Sequence, residues 1–347
     1  MLKTKGYFVA KASAPFAPYS FERRDPRPHD VVLNIQYCGI CHTDIHQVRD
    51  EWGGSTFPMV PGHEIIGVVS AVGSEATKFT VGQRIGVGVF VDSCRKCENC
   101  LAGLEQYCSE GMTATYNGYE RDTTTIAFGG YSNHFVVDEA YAVHVADTLD
   151  PAGAAPLLCA GITLYSPLRH WNAGPGKRVA IIGLGGLGHM GLQFAHAMGA
   201  ETTVFSHSAS KAEDSHALGA DHFVVTSDVD ALKNHELRYD IIVNSTSADI
   251  DLNQYLNLLK LDGTLIIVGL SGVPVKIKQG LLLEGRRSLS GSQIGGAAEL
   301  QEMMDFCAEH DITSWIELVN ADNINQAWDR TVASDVKYRF VIDASTF

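Results

Sequence analysis

The chain has 347 residues, enough for two domains, and its hydrophobic fraction of 45% is that of an ordinary globular protein. Its formal net charge of −14, without any run of basic residues, excludes nucleic acid and anionic membranes as expected partners. No apolar segment is long enough to span a bilayer, and the first residues lack the apolar stretch of a signal peptide. Eight cysteines without such a signal are typical of thiols and metal ligands in a reducing compartment, which predicts a cytoplasmic protein.

Residues 1–150 have the pattern of short β-strands separated by glycine and proline turns. An irregular stretch, Gly111–Phe128, follows a cluster of cysteines and is predicted to form a surface loop. These features predict a mostly-β first domain. Its predicted strands are Val31–Tyr37, Ile65–Val72, Arg84–Val89 and Tyr131–Val137.

The pattern changes at Pro151, where a helical segment, Pro151–Trp171, begins. Short apolar strands then alternate with amphipathic helices, which predicts a doubly wound parallel sheet. A last strand-like run, Arg339–Ile342, is not part of a further βα unit, so we expect the chain after about Leu289 to rejoin the first domain. In chain order the predicted segments of the sheet domain are Arg178–Ile182, Leu187–Met198, Thr202–Phe205, Lys211–Leu218, His222–Val225, Asp240–Asn244, Leu252–Leu259 and Thr264–Val268.

Four cysteines form a C-x-x-C-x-x-C-x₇-C run at Cys94, Cys97, Cys100 and Cys108. This spacing lets neighbouring sulfurs turn toward one tetrahedral zinc ion. Four thiolates leave no open position on the metal, so the run predicts a structural zinc site. The alternative, buried or disulfide-paired cysteines, explains the spacing less well.

A glycine-rich turn follows the predicted strand Arg178–Ile182 and opens a helix, in the order that a dinucleotide-binding turn requires. Gly183 permits the tight turn, Gly185 lets the backbone approach a pyrophosphate, and Gly188 allows close packing of helix on strand. The helix N-terminus then offers free N–H groups to the anion. The alternative is a glycine-rich turn without a ligand. The residues of the predicted turn are Gly183, Leu184, Gly185, Gly186, Leu187 and Gly188.

The end of the next strand predicts which dinucleotide is bound. An NAD site places a carboxylate there, but this chain has Ser206, His207 and Ser208, followed by Lys211. Hydroxyl groups and a lysine cation favour the 2′-phosphate that only NADP(H) carries. These residues also suit the start of a helix near Ser210, and both interpretations can hold together.

A second set of metal-ligand residues lies in three separate segments. Cys41, His63 and Cys159 are candidates for a catalytic Cys₂His zinc site, which needs an open position for substrate. Cys38 and Cys41 form a C-x-x-C pair, but the all-β neighbourhood does not favour a thioredoxin-like redox motif. From spacing alone, Cys159 is equally well explained as core packing.

Several motifs together resemble the zinc-dependent medium-chain alcohol dehydrogenases, in that family's order. They are Tyr37–His46, Gly62–Glu64, the cysteine run, Leu157–Thr163 and the glycine turn. Within the family, the chain most resembles the cinnamyl-alcohol-dehydrogenase-like branch, which includes bacterial broad-range NADPH-dependent aldehyde reductases. The resemblance runs nearly end to end.

The resemblance implies a GroES-like, mostly-β catalytic domain of residues 1–150 and 290–347 and a Rossmann-type domain of residues 151–289. It implies one catalytic and one structural zinc per chain, NADP(H) as cofactor, and a homodimer. The implied reaction is the reduction of a broad range of aldehydes to primary alcohols, and its reverse. Two alternatives remain: a zinc-free quinone reductase on the same scaffold, and a non-enzymatic nucleotide-binding zinc protein.

The resemblance also implies residue roles around the catalytic zinc. Cys41, His63 and Cys159 would bind it, with Glu64 as an alternative or exchanging ligand. Asp44 would orient His63 from behind. Thr43 would hold the substrate oxygen and contact the cofactor, and His46 would pass protons to solvent. Further positions that match cofactor contacts are Thr163, Thr246, Val268, Gly269, Ser292 and Ile294.

Overall fold

The computed structural model of the protein describes residues 1–347 apart from the side chain of Val229. The chain folds into two compact units, Met1–Ile162 with Gly295–Phe347, and Thr163–Ile294. The domain boundaries expected from the sequence, after residues 150 and 289, stay a prediction, because a compact unit need not coincide with a folding domain.

The chain forms seventeen strands and eleven α-helices in the described residues, joined by turns and short 3₁₀ segments. The strands are β1 (Leu2–Phe8), β2 (Ala17–Arg23), β3 (Asp30–Gly39), β4 (Ile65–Val72), β5 (Arg84–Val87), β6 (Phe90–Asp92), β7 (Thr113–Ala114), β8 (His134–Asp138), β9 (Ala142–His144), β10 (Arg178–Ile182), β11 (Glu201–Ser206), β12 (His222–Val225), β13 (Tyr239–Asn244), β14 (Leu259–Ile267), β15 (Ser288–Gly291), β16 (Ile316–Asn320) and β17 (Arg339–Asp343). The helices are α1 (His42–Val48), α2 (Glu98–Leu101), α3 (Pro151–Ala154), α4 (Ala160–His170), α5 (Gly188–Ala197), α6 (Ala212–Ala217), α7 (Val229–Lys233), α8 (Leu252–Leu256), α9 (Gln279–Leu283), α10 (Ala297–His310) and α11 (Ile324–Val332).

The first unit is built on a seven-stranded sheet in the order β16-β17-β3-β4-β5-β9, with β8 also paired to β3. The long strand β3 is antiparallel to β4, β8 and β17, and it connects the N-terminal and C-terminal parts of the unit. Most of its residues are buried, which is why its apolar pattern could be recognised. The C-terminal strand β17 thus pairs with a strand of the first part of the chain, β3.

The second unit contains a six-stranded sheet in the order β12-β11-β10-β13-β14-β15, and every pairing in it is parallel. Its strands are short and apolar because helices cover both faces; Val179, Ala180 and Ile181 in β10 are fully buried. The strand order reverses at β10, where an open α/β sheet leaves a crevice for ligands. The predicted fold class is confirmed.

Two stretches differ from the expected pattern. The single helix expected over Pro151–Trp171 is divided into α3, a 3₁₀ segment (Ala155–Leu158) and α4. Pro156 lies in the break and lacks the N–H that would continue an α-helix. The expected loop Gly111–Phe128 contains β7, which pairs with β6. Elements that were not predicted from the sequence include β1, β2, β16, α10 and α11.

None of the described helices has the length and apolar character that crossing a membrane requires.

Candidate active site

Four buried side chains converge at the end of β3: Cys41, His63, Glu64 and Cys159. One ligand atom from each lies within 4.8 Å of all the others, and the two sulfurs are 3.9 Å apart. Sulfurs bound to one tetrahedral zinc at about 2.3 Å would lie about 3.8 Å apart. The spacing of these donors therefore fits a zinc ion.

The pairing of β3 with β4 explains why residues distant in sequence meet here. Cys38 pairs with Ile65, so the residues after β3 lie beside those before β4. This register brings Cys41 next to His63. Cys159 joins them from the break between the 3₁₀ segment and α4, where the backbone leaves helical geometry at φ −129°.

The orientation of His63 is fixed by Asp44. Its Nδ1 lies 3.0 Å from Asp44 Oδ1, and its Nε2 is buried with no hydrogen-bond partner among the described residues. A proton on Nδ1 leaves the Nε2 lone pair free, which is the form in which imidazole binds a metal. Burial lowers the pKa of His63, but the charge and hydrogen bond of Asp44 and the nearby Cys41 sulfur together outweigh burial and raise the pKa well above its usual value.

The Cys41 thiol differs from the other two thiols near this site: the hydrogen bond with Cys41 raises the pKa of Cys159 well above its usual value, and the pKa of Cys38 is raised as well. A hydrogen bond with Cys159 lowers the pKa of Cys41 well below its usual value, although burial opposes this. A thiolate is the form that binds zinc. Burial instead raises the pKa of the Cys38 thiol, whose Sγ donates to the Gly39 carbonyl at 3.7 Å. Cys38 is therefore a packing residue in this structure.

Glu64 forms a buried ion pair with Arg339 of β17. Arg339 Nη2 donates to both Glu64 oxygens, at 2.6 and 2.7 Å, and to the Ile40 carbonyl at 3.0 Å. Burial raises the pKa of Glu64, and the Arg339 charge opposes the rise. No role was predicted for Arg339, although a charged residue in an apolar strand is a signal for a buried partner.

Replacing Arg339 with methionine is expected to lower the free energy of unfolding by about 3–5 kcal/mol, because the Glu64 charge would stay buried without a partner. Urea denaturation followed by circular dichroism measures this. The double variant Glu64→Gln/Arg339→Met is the control, since replacing both charges should restore much of the loss. Equal destabilisation in both variants would contradict an ion-pair effect.

Thr43, Asp44 and His46 all lie on α1, directly after Cys41. His46 is partly exposed, with Nδ1 2.5 Å from Glu51 Oε2, and its ring stacks on Trp52 at 4.7 Å between centroids. The hydrogen bond with His46 is the main reason why the pKa of Glu51 is lowered. Glu51 and Trp52 thus hold the imidazole in one orientation, a role that the sequence did not reveal.

The cysteine run forms a second, separate cluster. The sulfurs of Cys94, Cys97, Cys100 and Cys108 lie within 4.8 Å of one another, with Cys94–Cys100 at 3.8 Å and Cys97–Cys100 at 3.4 Å. The backbone N–H groups of Cys94 and Cys97 point at sulfurs of the same cluster, each at 3.3 Å. Such donors stabilise thiolates, and all eight cysteines of the chain are free. The cluster fits a closed four-thiolate zinc site.

The candidate cofactor residues of the second unit lie, with one exception, just beyond the carboxyl ends of the parallel strands. The exception is Thr163, which lies within α4. This edge of an open α/β sheet is where ligands bind. After β10 come Gly183, Leu184, Gly185, Gly186, Leu187 and Gly188; at the end of β11 are Ser206, His207, Ser208 and Lys211; after β13 comes Thr246; after β14 come Val268 and Gly269; and after β15 come Ser292 and Ile294.

The glycine turn has the geometry expected of a phosphate-binding turn. Gly183 has φ +88°, a conformation that favours glycine. A Cβ on Gly188 would collide with the Gly183 carbonyl oxygen, so the helix packs closely on the turn. A Cβ on Gly185 would meet no described atom within 4 Å, so this side of the turn leaves room for a ligand.

The end of β11 is polar and has no carboxylate from Ser206 to Lys211. The Ser206 hydroxyl accepts the Ser208 N–H at 3.3 Å, and the Ser208 and Ser210 hydroxyls are 2.8 Å apart. His207 is exposed, and Lys211 Nζ donates to the Leu184 carbonyl of the glycine turn at 2.6 Å. Hydroxyls and a cation therefore lie next to the turn, as a 2′-phosphate would require.

Comparison with known proteins identifies both parts of the chain. Residues 27–147 match the alcohol dehydrogenase GroES-like domain, and residues 186–309 match the zinc-binding dehydrogenase domain. NADP-dependent alcohol dehydrogenase C 1 of Mycolicibacterium smegmatis is 54% identical over 100% of this chain and 99% of its own length. The chain belongs to the zinc-binding medium-chain alcohol dehydrogenase family.

Two further comparisons support this placement. Aldehyde reductase YahK of Escherichia coli is 49% identical to this dehydrogenase over 99% of both chains. A cinnamyl alcohol dehydrogenase of Helicobacter pylori, solved in complex with NADP(H), superposes with a TM-score of 0.92 at 38% identity, covering 99% of each chain. The predicted family and its branch are confirmed.

Proposed function

We propose that this dehydrogenase interconverts aldehydes and primary alcohols with NADP(H) as the hydride carrier. The observation that carries the proposal is the buried cluster of Cys41, His63 and Cys159, with the free His63 nitrogen facing it. Zinc held by these residues supplies Lewis-acid polarisation of the carbonyl oxygen, and NADPH supplies the hydride. The relatives named above, an alcohol dehydrogenase and an aldehyde reductase, support this reaction.

The residues of α1 supply the remaining steps. We assign the Thr43 hydroxyl to the substrate oxygen and His46 to proton exchange with solvent. Glu51 accepts a hydrogen bond from the N–H group of His46 Nδ1. Nε2 is therefore the His46 nitrogen that exchanges protons. Glu64, held by Arg339, is assigned as the exchanging ligand of the same metal rather than a permanent one.

The test is the loss of NADPH absorbance with a panel of aliphatic and aromatic aldehydes, alongside metal analysis. We expect turnover with NADPH and about two zinc ions per chain. A non-enzymatic zinc protein would oxidise no NADPH with any aldehyde. A zinc-free quinone reductase would reduce quinones at full rate after metal removal. Either result would contradict the proposal.

Replacing Ser206 with aspartate is expected to raise the KM for NADPH about a hundredfold and to favour NADH, since close like charges cost several kcal/mol. Steady-state kinetics with both cofactors measures this. Ser206→Ala is the matched control, because it removes the hydroxyl without adding charge and should change the KM far less. An unchanged preference for NADPH in the aspartate variant would refute this assignment of the 2′-phosphate site.

The location and assembly of the enzyme are also proposals. We propose a cytoplasmic homodimer, on the basis of the free cysteines and the family resemblance. Sedimentation of the purified protein tests the dimer, and cell fractionation tests the location.

A further inference from the structure

The first carbonyl groups of the glycine turn are held by side chains from other parts of the second unit. The Ser245 hydroxyl, which follows β13, is shared between the carbonyls of Ile182 and Gly183, at 2.8 and 3.2 Å. Lys211 Nζ donates to the next carbonyl, that of Leu184, at 2.6 Å. The backbone at the start of the turn is therefore fixed by side chains as well as by its own geometry.

The carbonyl that follows, that of Gly185, is held by His189, the second residue of α5. His189 is fully buried, and its Nδ1 lies 3.0 Å from the Gly185 carbonyl oxygen. The same oxygen accepts the His189 backbone N–H at 3.1 Å. Because a carbonyl oxygen can only accept, Nδ1 carries the proton. No role for His189 was predicted from the sequence, although a buried imidazole needs a hydrogen-bond partner.

The direction of the Gly185 carbonyl sets the direction of a donor to the cofactor. This carbonyl and the Gly186 N–H belong to one planar trans peptide, so they point in opposite directions. With the oxygen turned toward α5, the Gly186 N–H points outward from the helix N-terminus, where free N–H groups bind a pyrophosphate. If the peptide turned over, it would present a carbonyl oxygen to the anion instead.

We propose that the His189 imidazole holds the Gly185–Gly186 peptide in the orientation that donates to the cofactor pyrophosphate. The proposal rests on the function proposed above, since it requires NADP(H) at this turn. Glycine adopts positive and negative φ about equally, so a peptide between two glycines turns over more easily than any other. The buried Nδ1–H favours one orientation and thereby lowers the cost of ordering the turn when the cofactor binds. His189 is a positioning residue, because it acts through the backbone of the turn.

The test is His189→Leu, with binding measured by isothermal titration calorimetry in the absence of aldehyde. We expect the Kd for NADPH to rise about three- to tenfold, the effect of losing one hydrogen bond. The Kd for adenosine 2′-phosphate, which lacks the pyrophosphate, should change less than about twofold. We expect kcat at saturating NADPH to stay close to that of the wild type, because contacts to the pyrophosphate are the same in ground state and transition state. An unchanged Kd for NADPH, or an equal loss of affinity for both ligands, would overturn the proposal.

Two amide variants keep the test decisive if His189→Leu fails to fold. The amide nitrogen of His189→Asn can take the place of Nδ1, whereas that of His189→Gln lies one carbon further out, near the place of Nε2. His189→Asn should therefore bind NADPH about as tightly as the wild type, and His189→Gln about three- to tenfold more weakly. Equal affinities, or the reverse order, would contradict a role for the Nδ1–H group.

Leu192→Ala is the matched control for packing. Leu192 is also fully buried on α5, three positions after His189. Its truncation leaves a cavity and lowers stability, but it should change the Kd for NADPH less than about twofold. A rise equal to that of His189→Leu would attribute the effect to the packing of α5 and refute the proposal. If the wild-type protein binds NADPH but reduces no aldehyde, the proposed function fails, while the comparison of Kd values still decides the role of His189.

Discussion

Replacing Cys41 with alanine is expected to lower kcat for aldehyde reduction at least about a thousandfold, while the protein remains folded. Lewis-acid assistance by a metal is worth several kcal/mol, and each 1.4 kcal/mol or so is a factor of ten in rate. Without the Cys41 sulfur, the cluster retains only His63 and Cys159 as donors, with Glu64 held by Arg339. Steady-state kinetics, zinc analysis and circular dichroism measure the three parts of this expectation.

Cys38→Ala is the matched control for Cys41→Ala. Cys38 is a buried thiol only three positions earlier, but it is absent from the cluster of donors. Its removal should leave the zinc content and kcat close to those of the wild type and cost only some packing energy. If Cys41→Ala retained its catalytic zinc and its rate, or if both variants lost activity equally, the assignment of Cys41 as a ligand would be wrong.

Replacing Cys100 with serine is expected to lower stability by several kcal/mol and to reduce the zinc content from about two to about one per chain, since structural zinc contributes folding free energy. Cys100 is central to the cluster, because its sulfur lies 3.8 Å from that of Cys94 and 3.4 Å from that of Cys97. The aldehyde reductase activity of the folded fraction should change much less, because none of the candidate catalytic residues belongs to this cluster. Thermal unfolding with metal analysis is the measurement.

Leu101→Ser provides the control for Cys100→Ser. The two variants introduce the same residue at neighbouring positions of α2, but Leu101 is 76% exposed and takes no part in the cluster. We expect Leu101→Ser to keep its zinc and its melting temperature. Full zinc content and an unchanged melting temperature in Cys100→Ser would refute the structural zinc site.

Local sequence patterns were sufficient to predict many of the strands and motifs of this protein. The apolar strand Arg178–Ile182 of the parallel sheet was predicted at its observed bounds, because strands buried on both faces are continuous apolar runs. The glycine turn and the cysteine run depend on spacing within a few residues, so the sequence alone displays them. The strand β16 and the helix α11 were missed, although the buried residues of α11, Ile324, Ala327, Trp328 and Thr331, recur at helical spacing and were a signal that the sequence offered.

Local sequence patterns could not predict the buried ion pair or the two aromatic contacts at the site. Arg339 and Glu64 are 275 positions apart, and only the pairing of β17 with β3 brings them together. Glu51 follows His46 closely, but their hydrogen bond depends on how the chain turns after α1. The contact of Tyr116 with His63 likewise depends on the course of the chain after β7.

The sequence by itself therefore determined the fold class, the family and the types of metal ligand, because each depends on residue types at short, fixed spacings. The tertiary structure decided which thiols belong to a metal-binding cluster and which only pack. Cys41 belongs to such a cluster, whereas Cys38 only packs. It also decided that Glu64 is paired with an arginine and that the ring of Tyr116 lies against the ring of His63. The physical reason is that metal affinity and charge at a buried site depend on distances of a few ångströms between segments, and strand register sets those distances.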